Sequence, residues 1–265
     1  MIITRHGLHS SRNGTITGIN DELNARIVDH NTAMLSFDAR GHGESAEKNK
    51  DMQRVHPITD EAQDFIDLID HYNKTHGIEK FSIIGHSRGG TAAAIAQTLD
   101  PRIKNVVMIC SPPQMTVPRQ VRGALLKKQL LKEFRQGTDV LTTNQRGDTF
   151  IVNINSFFTD PDHIETIEYR RRPVEIDDVL LRHLKDHPLK ADQKLYVIHS
   201  PEDSQVKAFR VEDFQNKVGK AGIRNVEFYT GIGGQPTVIK GDDHRLKDQA
   251  NITAVVEKCV ELLRP

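Results

Sequence analysis

Short, unbroken apolar runs alternate along this chain with longer stretches whose apolar residues recur every three or four positions. Phe81-Ser82-Ile83-Ile84 and Lys104 to Ile109 have the length and continuous hydrophobicity of strands buried on both faces of a parallel sheet. Thr59 to Tyr72 reads as a helix, with Ala62, Phe65, Ile66 and Ile69 along one face and Thr59 in position to cap it. Val28 to Phe37 contains a further strand, and the alanine-rich stretch Gly90 to Ala96 favours helix. Strands alternating with helices predict an α/β architecture, a mostly parallel central sheet covered by helices on both faces.

The rhythm changes between Ser111 and Leu189. Pro112-Pro113 and Pro118 interrupt it, and Val121 to Gln136 then reads as one helix carrying Leu125, Leu126, Leu130, Leu131 and Phe134. Its single apolar stripe suits packing onto the core or lining an apolar pocket better than lying on a membrane. Val140 to Thr143 and Phe150 to Ile154 flank Asn144-Gln145-Arg146-Gly147-Asp148 as the arms of a hairpin. The change of rhythm sets residues 113–189 apart from 1–112 and 190–265, which carry the alternation of strands and helices.

The chemistry is concentrated at Gly85-His86-Ser87-Arg88-Gly89. A G-x-S-x-G between a strand and a helix fits a nucleophile elbow, where the serine stands exposed on a strained turn and the glycines let strand and helix approach closely. A serine hydroxyl is a weak nucleophile until a base takes its proton. Of thirteen histidines, His244 suits that role, because it follows the apolar run Thr237-Val238-Ile239-Lys240 and the turn Gly241-Asp242-Asp243 late in the chain. Leu195 to His199 reads as a strand leading into Ser200-Pro201-Glu202-Asp203, so Asp203 is the candidate acid, with Glu202 beside it. The order serine, acid, histidine differs from those of chymotrypsin and subtilisin. Among the other histidines, His86 is expected to fix the turn and His199 to sit in the core. Asp243 reads as a solvated turn acid, and Asp38 stands at a strand end next to Arg40-Gly41-His42-Gly43, a loop read as structural.

With Arg5-His6-Gly7, Phe37 to Ser45, Gly85 to Gly90, Ile198 to Asp203 and Lys240 to Arg245 in this order, the chain resembles the α/β-hydrolase superfamily. Over most of its length it is similar to the compact cinnamoyl/feruloyl-esterase-like branch of serine hydrolases. That resemblance implies an α/β-hydrolase fold with residues 113–189 as its inserted cap, a Ser87-His244-Asp203 triad, and an oxyanion hole of two backbone N–H groups, from Leu8 and Arg88. It implies cleavage of carboxylic esters of small acyl or aromatic acids. A thioesterase, a small peptidase or a non-catalytic ligand-binding protein of the same fold are the alternatives. The Arg88 side chain is expected to pair with a carboxylate, and Ser200 stands where the branch usually has glycine. Gly231 to Pro236 reads as an insertion ahead of the histidine strand.

Composition narrows the setting. Lys+Arg and Asp+Glu both number 36, so no net field favours nucleic acid or anionic membrane, and Arg170-Arg171-Arg172 reads as a solvated face. Mean hydropathy is −0.51 and no apolar run approaches membrane-spanning length. The N-terminus does not read as a signal peptide. Cys110 and Cys259 lack metal-ligand spacing and read as core residues. The expectation is a cytoplasmic enzyme, monomer or homodimer, using no metal or organic cofactor and acting on a small-molecule ester.

Overall fold

The computed structural model describes residues 1–263 except positions 9, 15, 28–31, 49–53, 118, 144–148, 160–163, 170–171 and 242, with backbone alone at 119–120, 165–169 and 172–175. The strands are β1 (Ile2–Arg5), β2 (Met34–Phe37), β3 (Phe81–His86), β4 (Ile103–Ile109), β5 (Val140–Thr143), β6 (Thr149–Val152), β7 (Ile164–Tyr169), β8 (Arg172–Asp177), β9 (Lys194–Ile198) and β10 (Val226–Tyr229). The helices are α1 (Thr17–Ile27), α2 (Gly43–Lys48), α3 (Ile58–His76), α4 (Arg88–Leu99), α5 (Arg119–Lys127), α6 (Leu131–Arg135), α7 (Val179–Asp186), α8 (Ala208–Lys220) and α9 (Gln249–Leu263).

Six strands form one sheet in the order β10-β9-β4-β3-β1-β2, with every pairing parallel. Adjacent residues of the central strands serve opposite faces. Ile83 and Val106 pack with Phe65, Ile69, Ile95 and Phe214 on the face covered by α3, α4, α7 and α8. Ile84 and Val107 pack with Ile19, Leu23, Val255 and Val256 under α1 and α9. Two buried faces explain why these strands read as unbroken apolar runs, each fully buried Ile or Phe contributing about 1.5–3 kcal/mol. Arg5 pairs with Gly85, His86 with Ile109, and Ile109 with Ile198. The segments leaving β1, β3, β4 and β9 thus emerge along one edge, where ligands bind in open parallel sheets.

Helix α3 carries the expected buried stripe, but it begins at Ile58 with Pro57 at the N-cap and no side-chain cap, so Thr59 lies inside the first turn. Gly77 at φ 67° ends it, its N–H reaching Asn73 O. The last sheet strand is β10, which the sequence reading omitted. Thr237 to Lys240 is not a strand, contrary to that reading, and makes one bridge from Thr237 to Thr230. Gly231, Gly233 and Gly234 all have positive φ, and Pro236 follows, so the chain loops away from the sheet directly after β10. The Gly231 to Pro236 segment is that loop rather than an insertion ahead of a strand.

Met115 and Asp177 exchange two backbone hydrogen bonds at 2.9 Å, bringing together the two ends of the segment between them. The single helix expected over 121–136 is two. The chain breaks at Gln129, φ 57°, and Leu130 N–H reaches back to Leu125 O before α6 begins. β5 and β6 pair antiparallel, Val140 opposite Val152, while residues 144–148, expected to join them, lie outside the described residues. Val121, Leu125, Phe134, Phe150, Phe157 and Phe158 form a separate apolar cluster that also takes in Val55 and touches Leu8. A second hairpin, β7 with β8, was not foreseen. Arg170 and Arg171 lie outside the described residues. Helix α7, placed with the cap in the sequence reading, packs its Val179, Leu180 and Leu184 into the main core.

Candidate active site

Ser87 sits between β3 and α4 at φ 51°, ψ −129°, a conformation that costs a non-glycine residue of order 1–3 kcal/mol. Its surroundings enforce it. Ser87 N–H bonds Ile109 O at 2.8 Å, and Gly90 N–H bonds Ser87 O at 3.0 Å. Neighbouring glycines make the packing feasible. A methyl at Gly85 would fall 2.5 Å from Gly90 N, and one at Gly7 would fall 2.7 Å from Ser87 Cβ. The turn after β1 thus lies directly against the serine.

Asp203 follows β9 and His244 follows the loop after β10. His244 Nδ1 donates to Asp203 Oδ2 at 2.8 Å. The other carboxylate oxygen accepts from the N–H groups of Gln205 at 2.7 Å and Val206 at 2.9 Å. Burial pushes the Asp203 carboxyl up, but the His244 hydrogen bond and charge outweigh it and hold the group below its usual range. An ionised acid on Nδ1–H leaves the Nε2 lone pair of His244 as the basic position.

The loop carrying His244 is fixed at several points that the sequence reading did not identify. Ser200 Oγ donates to Gly241 O at 2.6 Å and accepts from Glu202 N–H, tying the acid turn to the histidine loop. A glycine could not do this. Asn251 on α9 bonds both Lys240 N–H and Lys240 O. Asp243, expected to be a solvated acid, accepts from Lys247 N–H, Asp248 N–H and Asn251. His86 Nε2–H donates to His244 O at 2.7 Å, so it fixes the histidine loop more than the elbow alone. Burial, then the nearby His244, lowers the His86 pKa to about 3.

On the other side, His6 Nδ1–H donates to Gly7 O and Nε2 accepts from Ala39 N–H, a pattern that requires the neutral ring. Burial, then His42 and Arg5, lowers its pKa to about 3, in agreement. Asp38 accepts from Arg12 N–H and Glu44 N–H, consistent with a structural loop. His199 lies just past β9, fully buried, with its pKa lowered by burial to about 4. Cys110, at φ 47° after β4, is buried in the same corner, and its Sγ lies within 4.8 Å of ligand atoms of Asp203 and His244. Burial and the Asp203 charge raise the thiol pKa, and the carboxylate and Nδ1 are already bonded to each other. That trio therefore fits a hydrogen-bonded cluster better than a set of metal ligands.

Arg88, the first residue of α4, does pair with a carboxylate. Its Nε–H donates to Glu61 Oε1 at 2.9 Å and Nη2 reaches His56 O. Arg5, ending β1, holds the other oxygen of Glu61 at 2.5 Å. Desolvation alone would raise the Glu61 pKa, but Arg5 and Arg88 overcome it and hold it at about 2.

The signature of the family described as serine aminopeptidase, S33, matches residues 2–173. The chain belongs to that family of α/β-hydrolases. The matched range includes the elbow of this family member and ends before Asp203 and His244. Among curated proteins none matches the sequence. The esterase Pf2001 of Pyrococcus furiosus is 18% identical, with 99% of this chain and 81% of that one covered and a TM-score of 0.60. Est1E of Butyrivibrio proteoclasticus, solved with ferulic acid bound, is 18% identical over 99% and 88% of the two chains, TM-score 0.56. A monoacylglycerol lipase of Paleococcus ferrophilus is 15% identical over 98% and 93%, TM-score 0.55. These likenesses show the α/β-hydrolase fold. No helix among the described residues is long and apolar enough to cross a membrane.

Proposed function

We propose that this protein is a serine esterase that cleaves carboxylic esters of small acyl or aromatic acids. The observation that carries the reading is the 2.8 Å His244 to Asp203 hydrogen bond on the same sheet edge as a serine held at positive φ. In the proposed reaction His244 Nε2 takes the Ser87 proton as Oγ attacks the ester carbonyl. The N–H groups of Leu8 and Arg88 stabilise the tetrahedral oxyanion, and Asp203 stabilises the imidazolium. His244 then protonates the leaving alcohol, and water repeats the sequence on the acyl-enzyme. The Leu8 contact with the inserted cluster and the Arg88 guanidinium 6.0 Å from the Phe157 ring centroid support a cap that bounds the acyl pocket.

The family description favours a second reading, peptide-bond cleavage from an N-terminus. Matched oxygen-ester, thioester and N-terminal amide substrates with one acyl group separate the readings. Turnover of the oxygen ester with none of the amide supports the first, and turnover of the amide, the less reactive acyl group, replaces it with the second.

A further inference from the structure

Glu61 is the least expected residue near the elbow, a carboxylate with no exposed surface in the middle of an apolar helix face. It is shared. Oε1 accepts from Arg88 Nε and Oε2 from Arg5 Nη2, and both guanidiniums are themselves buried. Those two arginines are not arbitrary. Arg88 follows Ser87 and carries the backbone N–H proposed as one oxyanion donor. Arg5 ends the strand whose continuation, His6-Gly7-Leu8, carries the other.

The two segments also touch. A methyl at Gly89 would strike His6 O and fall 2.9 Å from Arg5 O, so the elbow helix packs on the β1 turn with no room for a side chain. Two buried cations in such closely packed segments repel each other unless an anion sits between them. Nε and Nη1 of Arg5 have no hydrogen-bond partner among the described residues, so Glu61 is the anchor that fixes this guanidinium. We propose that Glu61 is a positioning residue for the oxyanion hole, one carboxylate that sets the separation of the two backbone donors by clamping Arg88, which carries one of them, and Arg5, three residues before the other. The proposal rests on the esterase reading and assigns to α3 a role in the same site.

The oxyanion exists only in the transition state and the tetrahedral intermediate, so a loosened hole lowers kcat and leaves KM nearly unchanged. Full loss of one donor costs 10²–10³-fold in kcat, and misplacement of donors that are still present should cost about 10- to 100-fold. The test uses Glu61→Gln and Arg88→Met in the full chain. The second keeps the Arg88 backbone N–H and leaves a neutral Arg5–Glu61 pair beside Met115 and Phe157, so it retains a folded protein if the first does not. Active sites are counted by fluorophosphonate titration, so unfolded material drops out of kcat. The expected result is a kcat per titrated site at least tenfold lower, KM within twofold, and matching loss of affinity for a trifluoromethyl ketone that forms an oxyanion adduct. A normal kcat per site with only a lower melting temperature overturns the proposal and leaves the triangle a structural ion cluster. Failure of the wild type to react with fluorophosphonate or turn over any ester would instead sink the esterase reading on which it stands.

Discussion

Acid should unfold this protein before it titrates its carboxylates, because the core holds histidines that cannot be charged in place. His6, His86 and His199 are at most 3% exposed. Burial lowers their pKa values from 6.5 to about 3, about 3 and about 4. Between the folded and unfolded values the unfolded chain binds more protons than the native one, so stability falls as pH falls. The loss begins near pH 6.5 and runs down to the folded values. At pH 5 each histidine costs about 2 kcal/mol relative to pH 7, roughly 6 kcal/mol for three. That is comparable to the whole stability of a typical domain, about 5–15 kcal/mol. His42, His56 and His183 are also lowered by burial and act in the same direction. Glu61 does not contribute in this window, since its stabilisation is lost only from about 4.5 towards 2. Urea melts at pH 7, 6 and 5 measure the effect, with His199→Gln as the control that should recover about a third of the three-histidine loss. A midpoint that stays constant from pH 7 to 5, or a His199→Gln slope equal to that of the wild type, would refute the reasoning.

Other substitutions probe single contacts. Asp203→Asn should keep the fold near neutral pH but lower kcat by about 10⁴, since the amide no longer fixes the His244 tautomer; pre-steady-state acylation rates measure it. Ser200→Gly removes the hydroxyl tie to Gly241 O, with an expected loss of about 1 kcal/mol in a denaturant melt and a smaller fall in kcat. Gly89→Ala must push its methyl into His6 O, so a loss of about 1–3 kcal/mol is expected by calorimetry, and a melting temperature equal to the wild type would contradict the packing described. Gly77→Ala meets open space but keeps a positive φ, and should cost only about 1 kcal/mol.

Much of this arrangement is legible in the sequence because the fold leaves marks wherever backbone must approach backbone. Gly7, Gly85, Gly89 and Gly90 occupy positions where a methyl collides, so the elbow and the His-Gly turn are spelled out in glycine. The inner strands are equally plain, since burial on both faces demands unbroken apolar runs. Strand β10 is not, because it lies at a sheet edge with all four residues half-buried, and Val-Glu-Phe-Tyr gives too short a pattern. The apolar run 237–240 was the stronger strand signal, yet glycines at positive φ turn the chain out of the sheet before it. The break at Gln129 is hidden because Leu125 and Leu130 keep an apolar stripe across it. Glu61 could have been found. It lies on the Ile58, Ala62, Phe65, Ile69 face of α3, and a carboxylate on an apolar face requires a buried partner. What remained invisible was which arginines it meets, since sequence separations of 56 and 27 residues carry no spacing rule.

The activated serine is tested most directly by intact-protein mass spectrometry after reaction with a fluorophosphonate, on the wild type and on Ser87→Ala. A single adduct on the wild type that disappears in the variant is the expected result, and it would make Ser87 the nucleophile of an assembled triad. A folded wild type that takes no adduct, or a Ser87→Ala protein that still takes one, would contradict the assignment.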